Sequence, residues 1–467
     1  MTKIISRGFE TKKAVLVKLA GFALLSTTIL TGHSFAAEDA AGYIYTTLNG
    51  TDTNSVVAFD RDADGSLKNE RAFSTESKGG ADPTAGGDAA GDFDAQGGIE
   101  IVGDYLLNVN AGGNTVSVFN LDRTTGDLTL KGNVPSGGAR PVSIAVEPKS
   151  EGSTVYWVVV ANQMGNPNIQ KGGKGEDPIE YYPNKEFFAA GGDISKVSPD
   201  RNIALMSFDS LTGDLTMNSV LETFDGMNGG PDNVEFSPDG TKLALATWGV
   251  AHFATAMPTE QRPSRVYFYD FDVATGKVDG ERHFEETGIA GSIGFSWSAD
   301  SDSVYVSNFN LTPDTLDNSL TVLTDDGKSI TKTANFGTGD DANGGADEAC
   351  WTVLSPDGKK LYVASFTGNI ISEFNVSSSG DVSIEGPGPV TAFAHRADTT
   401  PAGDTKDLYI SPDGKSLYVN GSYQSFTVSQ FNAESGKLTL VDETRVEAAA
   451  DTFKGAYNFL GLTGFSK

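Results

Sequence analysis

A closed ring of seven four-stranded antiparallel blades, a β-propeller, is the fold this 467-residue chain predicts, and three observations predict it. First, an aromatic-containing strand runs seven times into a turn ending in Gly and then into a second strand. The turns are Asp64-Gly65, Thr125-Gly126, Thr212-Gly213, Thr275-Gly276, Asp326-Gly327, Ser379-Gly380 and Ser435-Gly436. Their spacings of 61, 87, 63, 51, 53 and 56 residues are too long for a solenoid coil and right for a four-stranded blade. Second, Ser-Pro-Asp-Gly recurs at 237–240, 355–358 and 411–414, where Pro presets φ and Gly allows the chain to reverse. Third, the first unit starts without an innermost strand, and an apolar tail is left over after the seventh unit is complete.

Taken along the chain, Lys3, Arg7, Lys12, Lys13 and Lys18 precede an apolar run from Leu19 to Leu30, and Ser34-Phe35-Ala36 supplies a small-x-small cleavage pattern. The run is too short to cross a bilayer as a helix. Residues 1–36 are therefore expected to be a secretory signal peptide and 37–467 one propeller domain, periplasmic or secreted.

Within each unit an innermost strand A enters a tight turn, as in Val234-Glu235-Phe236-Ser237-Pro238-Asp239-Gly240, and strand B follows: Leu243–Thr247, Val304–Asn308, Leu361–Ser365 and Leu417–Gly421. Strand C alternates apolar and polar residues, as in Thr115–Phe119, and the Gly turn leads to outer strand D, as in Leu128–Leu130. Ser198-Pro199-Asp200 has no strand before it and is not a blade turn. The first unit begins at strand B with Tyr43–Leu48, so the tail Tyr457–Leu462 is expected to provide its missing strand A and close the ring. Closure removes exposed strand edges.

This strand order puts A–B and C–D turns on one face and B–C and D–A connections on the other. Nearly all the long segments belong to the second face: 75–97, 162–201, 248–264, 308–318, 336–347 and 386–405. A scaffold that keeps one face minimal and elaborates the other is expected to place its function on the elaborated one. Segment 162–201 gathers Lys171, Lys174 and Lys185 beside Tyr181, Tyr182, Phe187 and Phe188, a composition suited either to a lid or to a packed insertion.

The chain carries a net charge of −28. Residues 1–36 hold five basic residues and one acidic, +4, so 37–467 carries −28 − 4 = −32. That field argues against nucleic acid and anionic membrane as partners; a small-molecule ligand and a monomer are expected. Cys350 is the one cysteine, which excludes an intrachain disulfide, and its apolar setting predicts a buried thiol. Beyond residue 36 the histidines are His252, His283 and His395, without ligand spacing, so no His-built metal site is expected. Asp60-Arg61-Asp62-Ala63-Asp64-Gly65 matches the start of a calcium loop, with Asp60, Asp62 and Asp64 as ligands. Arg71 stands where the closing bidentate Glu belongs, so a plain hairpin without cofactor is favoured.

Strand pairs such as Ser355-Pro356-Asp357-Gly358-Lys359-Lys360-Leu361-Tyr362-Val363-Ala364 resemble those of the seven-bladed propeller lactonases, a family that includes 6-phosphogluconolactonase and 3-carboxymuconate lactonizing enzyme. The resemblance covers essentially all of 37–467 and implies a hydrolase or lyase acting on a lactone. Its alternative is a non-catalytic binding or surface-interaction module. Catalytic members usually enter an inner strand through a Gly-x-Gly-Pro-Arg-His-like segment. The matching stretch here is Gly229-Gly230-Pro231-Asp232-Asn233-Val234, with Asp232 for Arg and Asn233 for His, whereas Gly137-Gly138-Ala139-Arg140-Pro141 keeps an arginine. Strand-A entrances converge on the channel mouth, which makes Gln96, Arg140, Asp232, Asn233, Glu348, Lys406 and Asp407 candidates. Arg140 suits a carboxylate through its planar fork. Glu348 or Asp232 suits a general base. Asn233, Gln96, Lys406, Asp407 and His252, the last in the long 248–264 loop near Trp248, complete the expected ligand-binding set.

Overall fold

Turns of a few residues join successive strands and leave antiparallel pairing as the only geometry they can satisfy. The computed structural model describes residues 40–50, 52–80, 95–164, 200–226, 228–249, 263–339, 348–384, 390–393, 404–421, 425–434, 438–449 and 460–467. The chain divides into Met1–Asp39 and Ala40–Lys467, and the second unit holds every strand described.

Blade 1 contains β1 (Gly42–Thr47), β2 (Ser55–Arg61) and β3 (Leu67–Ser74); blade 2, β4 (Ile99–Val102), β5 (Tyr105–Asn110), β6 (Thr115–Leu121) and β7 (Leu128–Pro135). Blade 3 is β8 (Pro141–Pro148), β9 (Val155–Asn162), β10 (Asn202–Asp209) and β11 (Asp214–Thr223). Blade 4 is β12 (Pro231–Phe236), β13 (Lys242–Thr247), β14 (Val266–Asp272) and β15 (Lys277–Phe284). Blade 5 is β16 (Ile289–Trp297), β17 (Ser303–Leu311), β18 (Leu320–Asp325) and β19 (Ile330–Phe336). In blade 6, β20 (Ala349–Leu354), β21 (Lys360–Ser365) and β22 (Ile370–Val376) are followed by an outer strand in two pieces, β23 (Val382–Ser383) and β24 (Val390–Phe393). Gly386-Pro387-Gly388-Pro389 lies between the pieces, and its two prolines bring no ladder donors. The connection expected over 386–405 therefore contains part of a strand. Blade 7 is β25 (Thr405–Ile410), β26 (Ser416–Gly421), β27 (Thr427–Asn432) and β28 (Thr439–Arg445).

The last strand, β29 (Leu460–Ser466), pairs with β1 and completes blade 1, so the ring closes by the C-terminal strand as expected. The closing strand lies later than the predicted Tyr457–Leu462, of which 457–459 fall outside the described residues. Contacts at the seam set this register. Tyr43 and Phe465 pair with ring centroids 5.4 Å apart, and the Arg123 guanidinium lies 4.5 Å from the Phe465 ring centroid. At Gly464 a Cβ would meet the Tyr43 carbonyl oxygen at 2.5 Å, so glycine is required opposite that strand. A bulge between Thr46 and Thr47 accommodates Gly461 at φ 80°.

The repeated turn glycines serve two purposes. Gly65, Gly126, Gly213, Gly276, Gly327 and Gly380 all have φ between 70° and 87°. Several are also the floor on which the preceding blade rests. A Cβ on Gly126 would enter the Tyr43 ring and one on Gly213 the Tyr105 ring, while Gly276 faces Trp157. Tyr45 donates its hydroxyl to the Gly126 carbonyl at 2.9 Å, Tyr305 to Gly380 at 2.9 Å, and Tyr418 to Gly65 at 2.7 Å. Trp157 Nε1 donates to Val273 O at 2.7 Å. Apolar clusters accordingly lie between blades: Tyr43, Tyr45 and Val56 against Leu106 and Phe119, for example, and Phe268 against Phe295 and Trp297.

The A–B turns follow one pattern. Ser237, Ser355 and Ser411 each donate Oγ to the Asp two residues on, at 2.5–2.7 Å. Blade 5 makes the same turn from Ser298-Ala299-Asp300-Ser301, with Ser301 at φ 65° in the glycine position, a fourth copy that the Pro-Asp-Gly signature conceals. Deleting 460–467 is expected to lower the melting temperature by many degrees or cause aggregation, since a packed strand is lost and two edges open. A truncated chain melting within about 2 °C of the parent in calorimetry would remove the closing role of β29.

Candidate functional site

Inner strands start on the face that carries the long connections, and three of them start alike. Gln163 N donates to Arg140 O at 2.9 Å, Trp248 N to Gly230 O at 3.2 Å, and Phe366 N to Glu348 O at 2.9 Å. Arg140, Gly230 and Glu348 thus hold one register position in blades 3, 4 and 6. Arg140 and Glu348 have φ of 58° and 59°, the left-handed region in which a side chain costs roughly 1–2 kcal/mol. Two opposite charges are kept where glycine would be free of strain.

Around Arg140 the mouth is polar. Its N–H donates to Asn114 Oδ1 at 2.8 Å, and Gln163, which donates its N–H to the Arg140 carbonyl, gives its side-chain Nε2 to Asp232 Oδ1 at 2.9 Å. Asp232 and Asn233 are fully buried. Asn233 Oδ1 accepts from Ser143 Oγ at 3.2 Å, and its Nδ2 reaches Phe295 O at 3.4 Å. Glu348 accepts a hydrogen bond from Thr367 Oγ1. Blades 4 to 6 bring aromatic rings to the same face: Trp248 to Phe309 is 5.6 Å and Phe309 to Phe366 is 6.5 Å between centroids. Lys406, buried, places Nζ 4.6 Å from the Phe366 ring centroid and 5.0 Å from that of Trp351, a cation–π setting.

Gln96 lies deeper than a mouth residue. Its Nε2 donates to Glu235 Oε1 at 3.0 Å in blade 4 and to Phe295 O at 2.9 Å in blade 5. Its Oε1 accepts from Thr352 N at 3.0 Å in blade 6, while Trp351 Nε1 donates to Ala95 O at 3.0 Å. Ile144 N in blade 3 donates to Gly97 O at 2.8 Å. Ala95–Gly98 is therefore a strap across the axis, tied to blades 3 through 6.

Three carboxyls on the inner strands of blades 2, 4 and 7, Glu100, Glu235 and Asp407, are raised above their ordinary values. Burial pushes Glu100 up to about 8, with the Asp407 charge adding to it. Burial likewise pushes Glu235 up to about 8, with Glu100 and Asp407 contributing and hydrogen bonds from Asn233 and Gln96 opposing. Asp407, 3% exposed, is pushed up to about 7 by burial, against hydrogen bonds from Leu408, Leu462 and Gly461. Asp407 thus belongs to the axis, where it accepts from the closing strand at Leu462 N, 3.3 Å away. Glu100 and Glu235 are absent from the residues the sequence singles out. Their signal is an acid between apolar neighbours in an innermost strand, Ile99-Glu100-Ile101 and Val234-Glu235-Phe236.

His252 and the lid segment, apart from its first and last residues, lie outside the described residues. Cys350 is buried, its Sγ 3.2 Å from Glu348 O. In the calcium-like loop Asp60 accepts from Arg71 at 2.7 Å and Asn69 at 2.8 Å, Asp62 pairs with Lys68 at 2.6 Å, and Asp64 accepts from Ser66 N at 3.0 Å. These carboxylates are engaged within the β2–β3 hairpin. Among the described residues no group of three or more metal-ligating side chains converges, and no helix is long and apolar enough to cross a membrane.

The family model described as "Lactonase, 7-bladed beta-propeller" matches residues 34–168. The chain is similar to the seven-bladed propeller lactonases. No curated protein matches this chain. Among solved structures, the periplasmic gluconolactonase of Pseudomonas aeruginosa superposes with a TM-score of 0.57 at 16% identity, covering 91% of this chain and 98% of its own. A putative 6-phosphogluconolactonase from Bacteroides fragilis gives 0.54 at 14%, covering 92% and 99%. A hypothetical selenium-binding protein from Sulfolobus tokodaii gives 0.56 at 11%, covering 91% and 94%. At such identities these likenesses establish the fold.

The raised carboxyls of Glu100, Glu235 and Asp407 predict a pH dependence of stability. Their folded values lie above the ordinary carboxyl range, so the fold favours the protonated forms. That stability is complete below about pH 4 and is lost as pH rises to about 8, at about 1.4 kcal/mol per proton per pH unit. Thermal melts at pH 6, 7 and 8 are expected to fall, and Glu235→Gln, which imitates the protonated acid, to flatten the fall. Equal pH slopes in parent and variant would refute this assignment.

Proposed function

We propose that this propeller hydrolyses a small lactone bearing an anionic group, at the mouth lined by Arg140 and Glu348. The observation that supports it is the left-handed backbone of those two residues. Strain retained at charged side chains, on the face that carries the long connections, accords with a site kept for function at the expense of stability. The Pseudomonas and Bacteroides structures, a gluconolactonase and a putative 6-phosphogluconolactonase, agree with the substrate class.

In this reading Arg140 pairs with the anionic group through two parallel N–H donors, which matters in a chain of strongly negative charge. Glu348 takes a proton from water as the water oxygen bonds to the lactone carbonyl carbon. The ring C–O bond then breaks, and the proton passes to the departing alkoxide, giving the open hydroxy acid. Asp232, buried on Gln163, is a positioning residue that holds the strand entrance carrying Arg140. The aromatic arc Trp248–Phe309–Phe366 would meet the apolar face of the substrate ring. Export follows from the leader-like sequence of residues 1–36 and is tested by N-terminal sequencing of the secreted or periplasmic protein, with Ala37 as expected first residue.

Proton release from a panel of aldonolactones and carboxylated lactones tests the activity. Arg140→Ala is expected to weaken binding by about 1.5–3 kcal/mol, Arg140→Lys to recover part of it, and Glu348→Gln to lower kcat with little change in KM. Glu348→Gly should lose turnover while keeping Tm, because relief of strain worth about 1 kcal/mol offsets the lost hydrogen bond. Full turnover in both Arg140→Ala and Glu348→Gln would exclude this site. A second reading, ligand capture without turnover, is favoured by Asp232 and Asn233, both buried and hydrogen-bonded where catalytic relatives carry Arg and His. Lactone binding without proton release in the parent would select it.

A further inference from the structure

Arg140 is held at both ends. Its N–H donates to Asn114 Oδ1 at 2.8 Å and its carbonyl accepts from Gln163 N at 2.9 Å, which fixes the backbone. Its guanidinium comes against residue 80, with Nη1 3.4 Å from Gly80 O. A Cβ placed on Gly80 would stand 3.1 Å from Nη2, 3.2 Å from Nη1 and 2.9 Å from the Ala111 Cβ. Nη1 and Nη2 are the guanidinium atoms nearest that point, so it lies off the edge they form. That edge is the one through which an arginine grips an oxyanion with parallel N–H bonds.

Residue 80 is itself fixed. Its N–H donates to Asn49 Oδ1, Gly79 N donates to Gly50 O at 2.6 Å, and Gly113 N donates to Lys78 O at 2.9 Å. A Cβ on Gly79 would meet the Asn49 carbonyl carbon at 2.1 Å, and one on Gly112 the Gly79 carbonyl oxygen at 2.1 Å. Segment 78–80 is therefore gripped by the B–C connections of blades 1 and 2. The asparagines involved follow a pattern. Asn49, Asn114 and Asn369 have φ of 57°, 54° and 49°, and each turns Oδ1 to an N–H on the way to the next blade: Gly80, Arg140, and Asp404 with Thr405. Gly80 does not share their left-handed backbone, so its conformation would admit a side chain. Its glycine answers to the space in front of it, which Arg140 and Ala111 border.

We propose that Gly80 is a specificity-determining residue: its bare backbone keeps the Nη1–Nη2 edge of Arg140 within reach of an oxyanion, a carboxylate or a phosphate, and a side chain there shuts the anion out. This rests on the reading of Arg140 as the group that meets the anion. It is independent of the guanidinium's other contacts, because an incoming anion competes with them. A neutral lactone has no use for that edge. Gly80 therefore separates charged from neutral substrates and leaves the chemistry at Glu348 untouched. Crowding against Ala111 is the competing reason for a glycine, and a second substitution removes it.

Phenylglyoxal, which condenses with the terminal nitrogens of arginine, reads the edge directly, with labelling of Arg140 followed by peptide mass mapping. In the parent, Arg140 is expected to label and 6-phosphogluconate to protect it. Equal protection by gluconate would identify a carboxylate as the group held, and protection by 6-phosphogluconate alone a phosphate. The double variant Gly80→Ala, Ala111→Gly keeps the new Cβ at the edge and removes its clash; Gly80→Ala alone serves if the double variant does not fold. Labelling should fall about tenfold, and KM for a carboxylated or phosphorylated lactone should rise by a similar factor, with kcat and the KM for a neutral aldonolactone unchanged. Ala111→Gly alone should behave as the parent. Undiminished labelling in the folded variant would overturn the role of Gly80, as would protection of the parent by neither acid. Labelling that falls while KM for the charged lactone stays put would instead take the lactone away from Arg140 and uphold Gly80 as the residue that keeps the edge open.

Discussion

The docking of one blade's second strand onto the next blade's Gly turn is the contact that the rest of the molecule depends on. A four-stranded sheet has two apolar faces and cannot bury either by itself. Tyr45 on Gly126, Tyr105 on Gly213, Trp157 on Gly276, Tyr305 on Gly380 and Tyr418 on Gly65 each lay an aromatic ring on backbone that has no side chain in the way. The hydroxyls of Tyr45, Tyr305 and Tyr418 and the indole N–H of Trp157 then satisfy turn carbonyls that would otherwise be covered. Because Tyr418 and Gly65 belong to the last and first blades, the same contact that orders the series also bends it into a ring.

That constraint divides the two faces. The face bearing the Gly turns is committed to packing and tolerates little change. The opposite face, where inner strands begin, is relieved of that duty, and Arg140 and Glu348 stand there in backbone conformations that packing alone would have given to glycine. The polar arc and the aromatic arc of the mouth come from residues at the ends of second strands and the starts of first strands, positions that the blade geometry repeats but does not dictate chemically. Family resemblance accordingly specifies the frame more closely than the reaction.

Much of this frame is legible in the sequence. Strand positions such as Lys242–Thr247 and Ser416–Gly421 fall within a residue of where alternation and turn residues put them, because tight turns at both ends pin them. The closing strand is displaced by about three residues because its register depends on Tyr43 and Phe465 meeting, a contact between the two ends that no local pattern encodes. At the site, Arg140, Asp232 and Glu348 do lie at strand entrances. Gln96 and Asp407 belong instead to the axis, since which residues of a long connection turn inward is decided by partners in four other blades. Glu100 and Glu235 look like ordinary strand acids until the closed ring raises them above the ordinary carboxyl range.

The pairing of Gly42 with Ser466 joins positions 424 residues apart. Contacts of that span are the slowest to find, because loop closure must precede any reward from them. The ring can therefore reach its final form only after the last strand is made, and until then blade 1 presents an open edge. Once shut, the same remoteness works the other way: escape requires the final strand to leave while the other blades still hold it in place. Persistence of the folded state then becomes a matter of rates, long-lived even if the equilibrium margin is ordinary.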